Sequence, residues 1–220
     1  MSTKPTRRRK TAAGSDEAAL RQRILGAAFS AFTELGYSRT STLEIATRAR
    51  VSKRELYALV GNKLDMLVTC IRDRSERFPL PADLPDSTDR EMLRAVLTRF
   101  GERFLKEVTD PDVVETFRIA IAEAIRAPEV ARALEELGRE RGRSVLRGAL
   151  ARAREGALLS GEPDEMARQF FVLLWGDLIM NLLLRTVKPP TGAEIARRSA
   201  EAASALLVLH PARGVARKDG

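Results

Sequence analysis

The chain has 220 residues and a net charge of +8, with 44% hydrophobic, 31% charged and 5% aromatic residues. That balance is too apolar for a wholly disordered chain and too charged for a membrane bundle, and the length provides one or two domains with a sizeable core. The one cysteine, Cys70, excludes an internal disulfide and a cysteine-based zinc cluster, and the one histidine, His210, has no second imidazole for a transition-metal site.

The first 15 residues, rich in Lys, Arg, Thr and Gly, offer nothing to pack and read as a mobile basic arm. No apolar stretch follows Arg7, Arg8, Arg9 and Lys10, so a secretory signal is excluded and a cytoplasmic location is expected. A helix is expected to start near Asp16 and Glu17, acids favoured by the helix dipole at that end. Leu20, Ile24, Leu25, Ala28, Phe32 and Leu35 then recur at three- and four-residue steps, and Gly36 is placed to end the helix.

In TSTLEIATRARVSKRELY, from Thr40 to Tyr57, Ser41 and Glu44 have capping-box spacing, which predicts a short helix from Thr42 to Ala49. Ser52 caps a second helix from Lys53, with Ile45, Ala46, Val51 and Leu56 turned inward. Small Ala46 and Ala49 stand where two backbones must approach, so the pair describes a helix-turn-helix. Charge agrees with this: residues 1–60 carry 12 Lys and Arg against 5 Asp and Glu, while residues 61–220 carry 26 against 25. A basic first quarter on a near-neutral remainder points to a polyanionic partner, most simply nucleic acid, and the helix-turn-helix makes that double-stranded DNA.

Gly61 and Asn62 precede a longer helix from Lys63, and prolines punctuate the rest. FPLPADLP, with Pro79, Pro81 and Pro85, reads as a linker; Pro111, Pro128, Pro163 and Pro189–Pro190 mark helix starts or ends. Helices are expected over 63–78, 89–108, 111–126, 128–156 (with Gly138 to Gly142 as a point of breakage), 163–187 and 192–210. No stretch sustains two-residue alternation, so the fold class is all-α. The most apolar run, Phe170 to Leu184, carries Asp177 and Asn181 and is too short to span a bilayer, so no membrane partner is expected.

Helix one ending in ELGY, then T-S-x-x-x-I-A-x-x-A, then VSKRELY and an N-K start to the next helix, resembles the TetR family of bacterial transcriptional regulators over about Leu20 to Leu67. The resemblance implies a three-helix DNA-binding head, a helical ligand-binding body and dimerisation through the last two long helices. The corresponding division is 1–15 arm, 16–62 helix-turn-helix domain, 63–210 regulatory and dimerisation domain, and 211–220 flexible tail. Three positions depart from the family pattern: Arg50 replaces a usual turn glycine, Ala58 to Val60 replace polar and aromatic residues, and Gly61 replaces proline. A non-glycine residue in left-handed geometry costs about 1–2 kcal/mol, so a local difference is expected at Arg50.

In a docked helix-turn-helix the first residues of the second helix reach base edges. Here those are Lys53 and Arg54, with the Arg54 fork suited to guanine O6 and N7. Ser52 caps that helix at the same surface, and Tyr57, one turn beyond Lys53, is placed for a backbone phosphate. The resemblance implies phosphate contacts for Tyr57 and Lys63, and Ser41 and Thr42 are placed for the other strand. The arm Arg7 to Lys10 either follows the minor groove or adds nonspecific attraction.

In the body, Met66, Cys70, Phe100, Phe104, Phe117, Ile121, Phe171 and Trp175 are candidates to surround an apolar effector, although most such residues are simply core, and Asp177 is a candidate for polar recognition or a dimer-interface hydrogen bond. Leu178, Asn181, Leu182, Arg185, Ala202, Leu206 and Leu209 are candidates for the dimer interface, since a helix apolar nearly all round needs partners on several sides. No cofactor, metal or catalytic residue is expected: no phosphate-binding glycine loop appears, and the carboxylates lie on exposed faces near arginine. The expected function is that of a homodimeric repressor released from a palindromic operator by a small molecule. The alternative is an accessory protein with a nonspecific DNA-binding head and a protein-assembly body; an enzyme is a remote third.

Overall fold

The computed structural model describes residues 7–77, 81–136 and 140–212, with only the backbone of 7–15 and 74–77. The described residues form eleven helices and no strand: α1 (Arg7–Leu35), α2 (Thr42–Ala49), α3 (Lys53–Val60), α4 (Lys63–Arg77), α5 (Arg90–Val108), α6 (Pro111–Glu123), α7 (Pro128–Leu134), α8 (Glu140–Glu155), α9 (Pro163–Trp175), α10 (Leu178–Leu183) and α11 (Gly192–Leu209). Residues 1–6 of the arm, 78–80 of the linker, Gly138 and residues 213–220 of the tail lie outside the described residues. The chain divides into two compact units, one of residues 1–74 with 119–133 and one of 75–118 with 134–220.

In the first unit, α1 begins at Arg7, upstream of the Asp16 start expected, because Arg, Lys and Ala are themselves strong helix formers. Its apolar stripe, Ile24, Leu25, Ala28, Ala31 and Phe32, is buried against Ile45, Ala46 and Leu56 of the next two helices. Gly36, at φ 81°, ends it, its amide donating to Phe32 O at 3.0 Å. Helix α2 has the bounds expected, but its capping box is one-sided. Ser41 Oγ accepts the Glu44 amide at 3.1 Å, whereas the Glu44 carboxylate takes Arg48 Nε at 2.7 Å.

The full box is on α3. There Ser52 Oγ accepts the Glu55 amide at 3.2 Å, and Glu55 Oε2 accepts the Ser52 amide at 2.8 Å. Arg50 adopts the left-handed conformation (φ 53°, ψ 51°) and closes α2 with paired bonds, Arg50 N to Thr47 O at 3.1 Å and Val51 N to Ala46 O at 3.0 Å. This is the helix stop usually made by glycine, built on a residue that bears a Cβ. Gly61 then separates α3 from α4 at φ 78°, where a Cβ would meet Asp65 Oδ2 at 2.5 Å.

The second unit packs α5, α8, α9 and α11 around Leu97, Phe100, Leu105, Leu146, Leu150, Phe170 and Leu206. Helices α5 and α11 approach closely at Gly101, where a Cβ would lie 3.0 Å from Ser199 Oγ. Two long helices expected in one piece are divided. The 163–187 helix breaks at Gly176, whose φ 49° and ψ −125° favour glycine, giving α9 and α10. The 128–156 stretch forms α7 and α8 with the interruption before Glu140. Arg90 ties the end of α11 to this core: its guanidinium donates to the carbonyls of Leu158 (2.6 Å), Leu207 (2.6 Å) and His210 (3.2 Å). His210 follows α11, and its ring meets Ser160 O at 2.7 Å and Gln169 Oε1 at 2.6 Å. No helix among the described residues is long and apolar enough to cross a membrane.

Candidate nucleic-acid interface

Helix α3 is amphipathic in the sense DNA docking requires. Leu56 and Val60 are buried, while Lys53, Arg54, Tyr57 and Ala58 are exposed. Among the described residues, the Lys53 and Arg54 side chains hold no hydrogen bond or ion pair, so their donors face outward unengaged. Negative charge beside them is contained: hydrogen bonds from the Ser52 amide and hydroxyl hold the Glu55 carboxyl below its ordinary range and fix it at the helix start, where an acid suits the dipole.

The structure brings the start of α2 to this surface. Tyr57 Oη and Thr42 Oγ1 lie 3.2 Å apart, and Ser41 is exposed beside Thr42. Arg50, exposed in the turn between α2 and α3, adds a cation that the reading of the spacing assigned only a backbone role. Its signal was present, a charged residue where a turn must expose its side chain.

Lys63 is placed differently from the other predicted contacts. Its ammonium donates to Tyr37 O at 2.9 Å and Thr40 O at 3.1 Å and lies 4.2 Å from the centre of the Tyr37 ring. Burial lowers its pKa, opposed by the charge of Glu123. Glu123 is itself buried and accepts a hydrogen bond from Ser38 in the same loop. Lys63 thus braces the loop that precedes α2, a tertiary role that the local N-K motif does not disclose.

The predicted effector residues fall in both units. Phe100, Phe104, Phe171 and Trp175 form a continuous aromatic cluster in the second, with Phe104 and Phe171 4.8 Å apart and Trp175 stacked 6.0 Å from Phe104. The Trp175 indole N–H is buried without a partner. One turn after Phe104, Glu107 also has a buried unpartnered oxygen, and burial pushes its carboxyl up to about 7 against the pull of Arg103 and Arg141. Glu107 escaped the sequence reading because one acid among many on α5 carries no local mark. Phe117 is half-buried in the second unit, and Asp177 is exposed, accepting from Asn181 at 3.0 Å. Met66 and Cys70 are buried in the first unit, and Ile121 of that unit is 61% exposed. Among the described residues no His, Cys, Asp or Glu group is arranged to hold a metal.

Of the residues expected between subunits, Leu178, Leu182, Ala202 and Leu206 are buried within their own unit and offer no surface to a partner. Both faces of these helices are apolar, so periodicity alone selected the inward one. Asn181 is half-buried, and Arg185 is exposed with Glu115 at 3.4 Å. Leu209 is exposed, as are Val172 of α9, Met180 of α10, Leu184 just after it and Val208 of α11.

The fold is similar to that of several solved structures. The flavonoid-responsive regulator FrrA is 28% identical, with a TM-score of 0.73 over 89% of this chain and 99% of that one. A TetR transcriptional regulator from Agrobacterium tumefaciens is 24% identical, with a TM-score of 0.70 over 88% and 95%. A TetR-family transcriptional regulator from Mesorhizobium loti MAFF303099 is 22% identical, with a TM-score of 0.71 over 88% and 98%. No functionally curated protein matches the chain. The family model for bacterial regulatory proteins of the tetR family matches residues 24–70, across α2 and α3. That for the C-terminal domain of AefR-like transcriptional repressors matches residues 95–209, over half of the chain. An all-α scaffold with a capped, exposed α3, matched by family models in both its parts, places this chain in the TetR family of transcriptional regulators.

Proposed function

We propose that the chain acts as a homodimeric repressor that binds a palindromic DNA operator and is released by a small, largely apolar molecule. The observation that carries this reading is the unpartnered pair Lys53 and Arg54 in the first turn of a capped, exposed helix. Arg54 and Lys53 read base edges in the major groove; Ser41, Thr42, Ser52, Tyr57 and Arg50 hold the flanking phosphates. Lys63 contributes through its backbone amide at the start of α4, with its side chain bracing the loop behind. Operators recognised by such dimers present half-sites about 34–36 Å apart, so any ligand favouring a different head spacing releases one of them.

The aromatic cluster around Phe104, Phe171 and Trp175 supports an apolar effector, with the Trp175 N–H and the Glu107 carboxyl as its polar anchors. The similarity to FrrA, named for its response to flavonoids, supports a planar aromatic compound. Exposed Val172, Met180, Leu184, Val208 and Leu209 support pairing of two copies through the last helices. Cytoplasmic location follows from the proposed access to DNA.

The test is selection of bound fragments from genomic DNA, followed by titration of the best site with the double variant Lys53→Ala/Arg54→Ala. We expect specific affinity to fall at least about thirtyfold, at about 1–3 kcal/mol per base contact, with nonspecific binding reduced far less. Equal affinity of the unaltered chain for random and selected duplexes overturns the reading in favour of an accessory DNA-binding protein.

A further inference from the structure

The second unit contains a cleft of about 740 Å³ that neither the DNA-binding face nor the aromatic cluster uses. One wall is a stripe of cations on α5, Arg99, Arg103 and Lys106, spaced so that all three share a helix face. The opposite wall is apolar and stiff, made by Pro189, Pro190 and Ile195.

Several arginines elsewhere in this unit are matched to acids: Arg94 to Glu91, Arg118 to Glu115, Arg147 to Asp164, Arg152 to Asp83 and Arg197 to Glu201. Among the described residues, Arg99 and Lys106 have no such mate. The carboxylates in the cleft leave this imbalance in place. Asp110 Oδ1 accepts the Asp112 amide at 2.9 Å, capping the start of α6. Glu102, one turn from both Arg99 and Lys106, offsets one of their two positive charges.

The start of α11 at Gly192 also lines the cleft, with the Glu194 carboxylate folded back onto the Thr191 amide beside it. The capping box of α11 satisfies the amides of Thr191 and Glu194 at 2.7 and 3.3 Å, leaving those of Gly192 and Ala193 as the open donors of its first turn. Space above Gly192 is clear: a Cβ built there meets nothing within 4 Å. The volume lies in the range of small-molecule sites, about 300–1,000 Å³.

We propose that this cleft binds an amphipathic organic anion, its phosphate or carboxylate head on Arg99, Lys106 and the first amides of α11, its apolar part against Pro189, Pro190 and Ile195. Such a ligand gives the body an input separate from the aromatic cluster. Charge alone does not select it, because a fully hydrated ion gains nothing from the proline wall, and neither does apolarity alone.

The experiment is calorimetric titration of the full chain at physiological salt with 1-naphthyl phosphate, 1-naphthol and inorganic phosphate. We expect 1-naphthyl phosphate to bind at least about tenfold more tightly than either fragment. The double variant Arg99→Gln/Lys106→Gln should lose at least about tenfold of that affinity, while Arg94→Gln, on the same helix outside the cleft, retains it. The exchanged side chains are exposed, so circular dichroism should show both variants folded. Equal binding of 1-naphthol, equal binding of inorganic phosphate, unchanged affinity in the double variant, or no binding at millimolar concentration each overturns the proposal. Operator binding through Lys53 and Arg54 is measured separately, so loss of this site leaves that reading standing.

Discussion

The hydroxyls of Tyr57 and Thr42 meet at 3.2 Å, joining the exposed face of α3 to the first residue of α2. Two helices that each offer a capped start to the same surface are thereby locked in mutual register. Tyr57→Phe should keep the ring and remove both this tie and the hydroxyl proposed to hold a phosphate. Because the group is exposed, stability should fall by no more than about 1 kcal/mol in urea denaturation. Operator affinity should drop several-fold without a change in the preferred sequence, as expected of a phosphate contact.

Arg50→Gly should separate a conformational cost from an electrostatic gain. Glycine relieves the left-handed backbone at φ 53°, and the head should gain about 1 kcal/mol in chemical denaturation. If Arg50 neutralises a phosphate, the slope of log affinity against log salt should become shallower by about 0.9. A more stable protein with an unchanged salt slope would assign Arg50 to the turn alone.

The helix-turn-helix was legible in the sequence because its determinants are local. Ser41 and Ser52 accept amides three residues on, and each cap lies within a single turn. The break at Gly176 was not, since a glycine amid Phe170 to Leu184 looks like a tolerated helix residue until its positive φ is seen. The orientation of Lys63 was also out of reach. Its two carbonyl partners lie 23 and 26 residues earlier, and no spacing rule connects them. Likewise Leu178 and Leu182 satisfy the period of an interface helix, but which of two apolar faces turns inward is decided by the tertiary core that they join.

Glu107 should make stability depend on pH. Its carboxyl is raised from 4.5 to about 7 by burial, so between those values the folded chain keeps a proton that the unfolded chain has released. Stability contributed by this group is therefore full below the lower value and declines as pH rises through the window. Allowing for partial exposure, the loss is roughly 1–2 kcal/mol. Glu107→Gln, compared with the unaltered chain by urea denaturation at pH 5 and pH 8, should remove that much of the difference; an identical pH slope in both proteins argues against it.

Pairing of copies should depend on the outward apolar residues of α10 and α11 and not on the buried ones. Val208 is 79% exposed, so Val208→Glu has little folding cost in a lone subunit. Sedimentation should show conversion from dimer to monomer with helicity retained. Leu206→Ala, at a fully buried position, should instead lower stability by about 2–5 kcal/mol.

The Arg90 guanidinium sets a limit on how far the protein can be trimmed. Its hold on the Leu207 and His210 carbonyls makes the final helical turn a structural anchor for the first turn of α5. Deleting from Leu207 onward would strand a half-shielded cation with a single acceptor, Leu158 O. An affinity label or fluorescent fusion should accordingly be attached beyond Ala212, where it leaves this clasp intact.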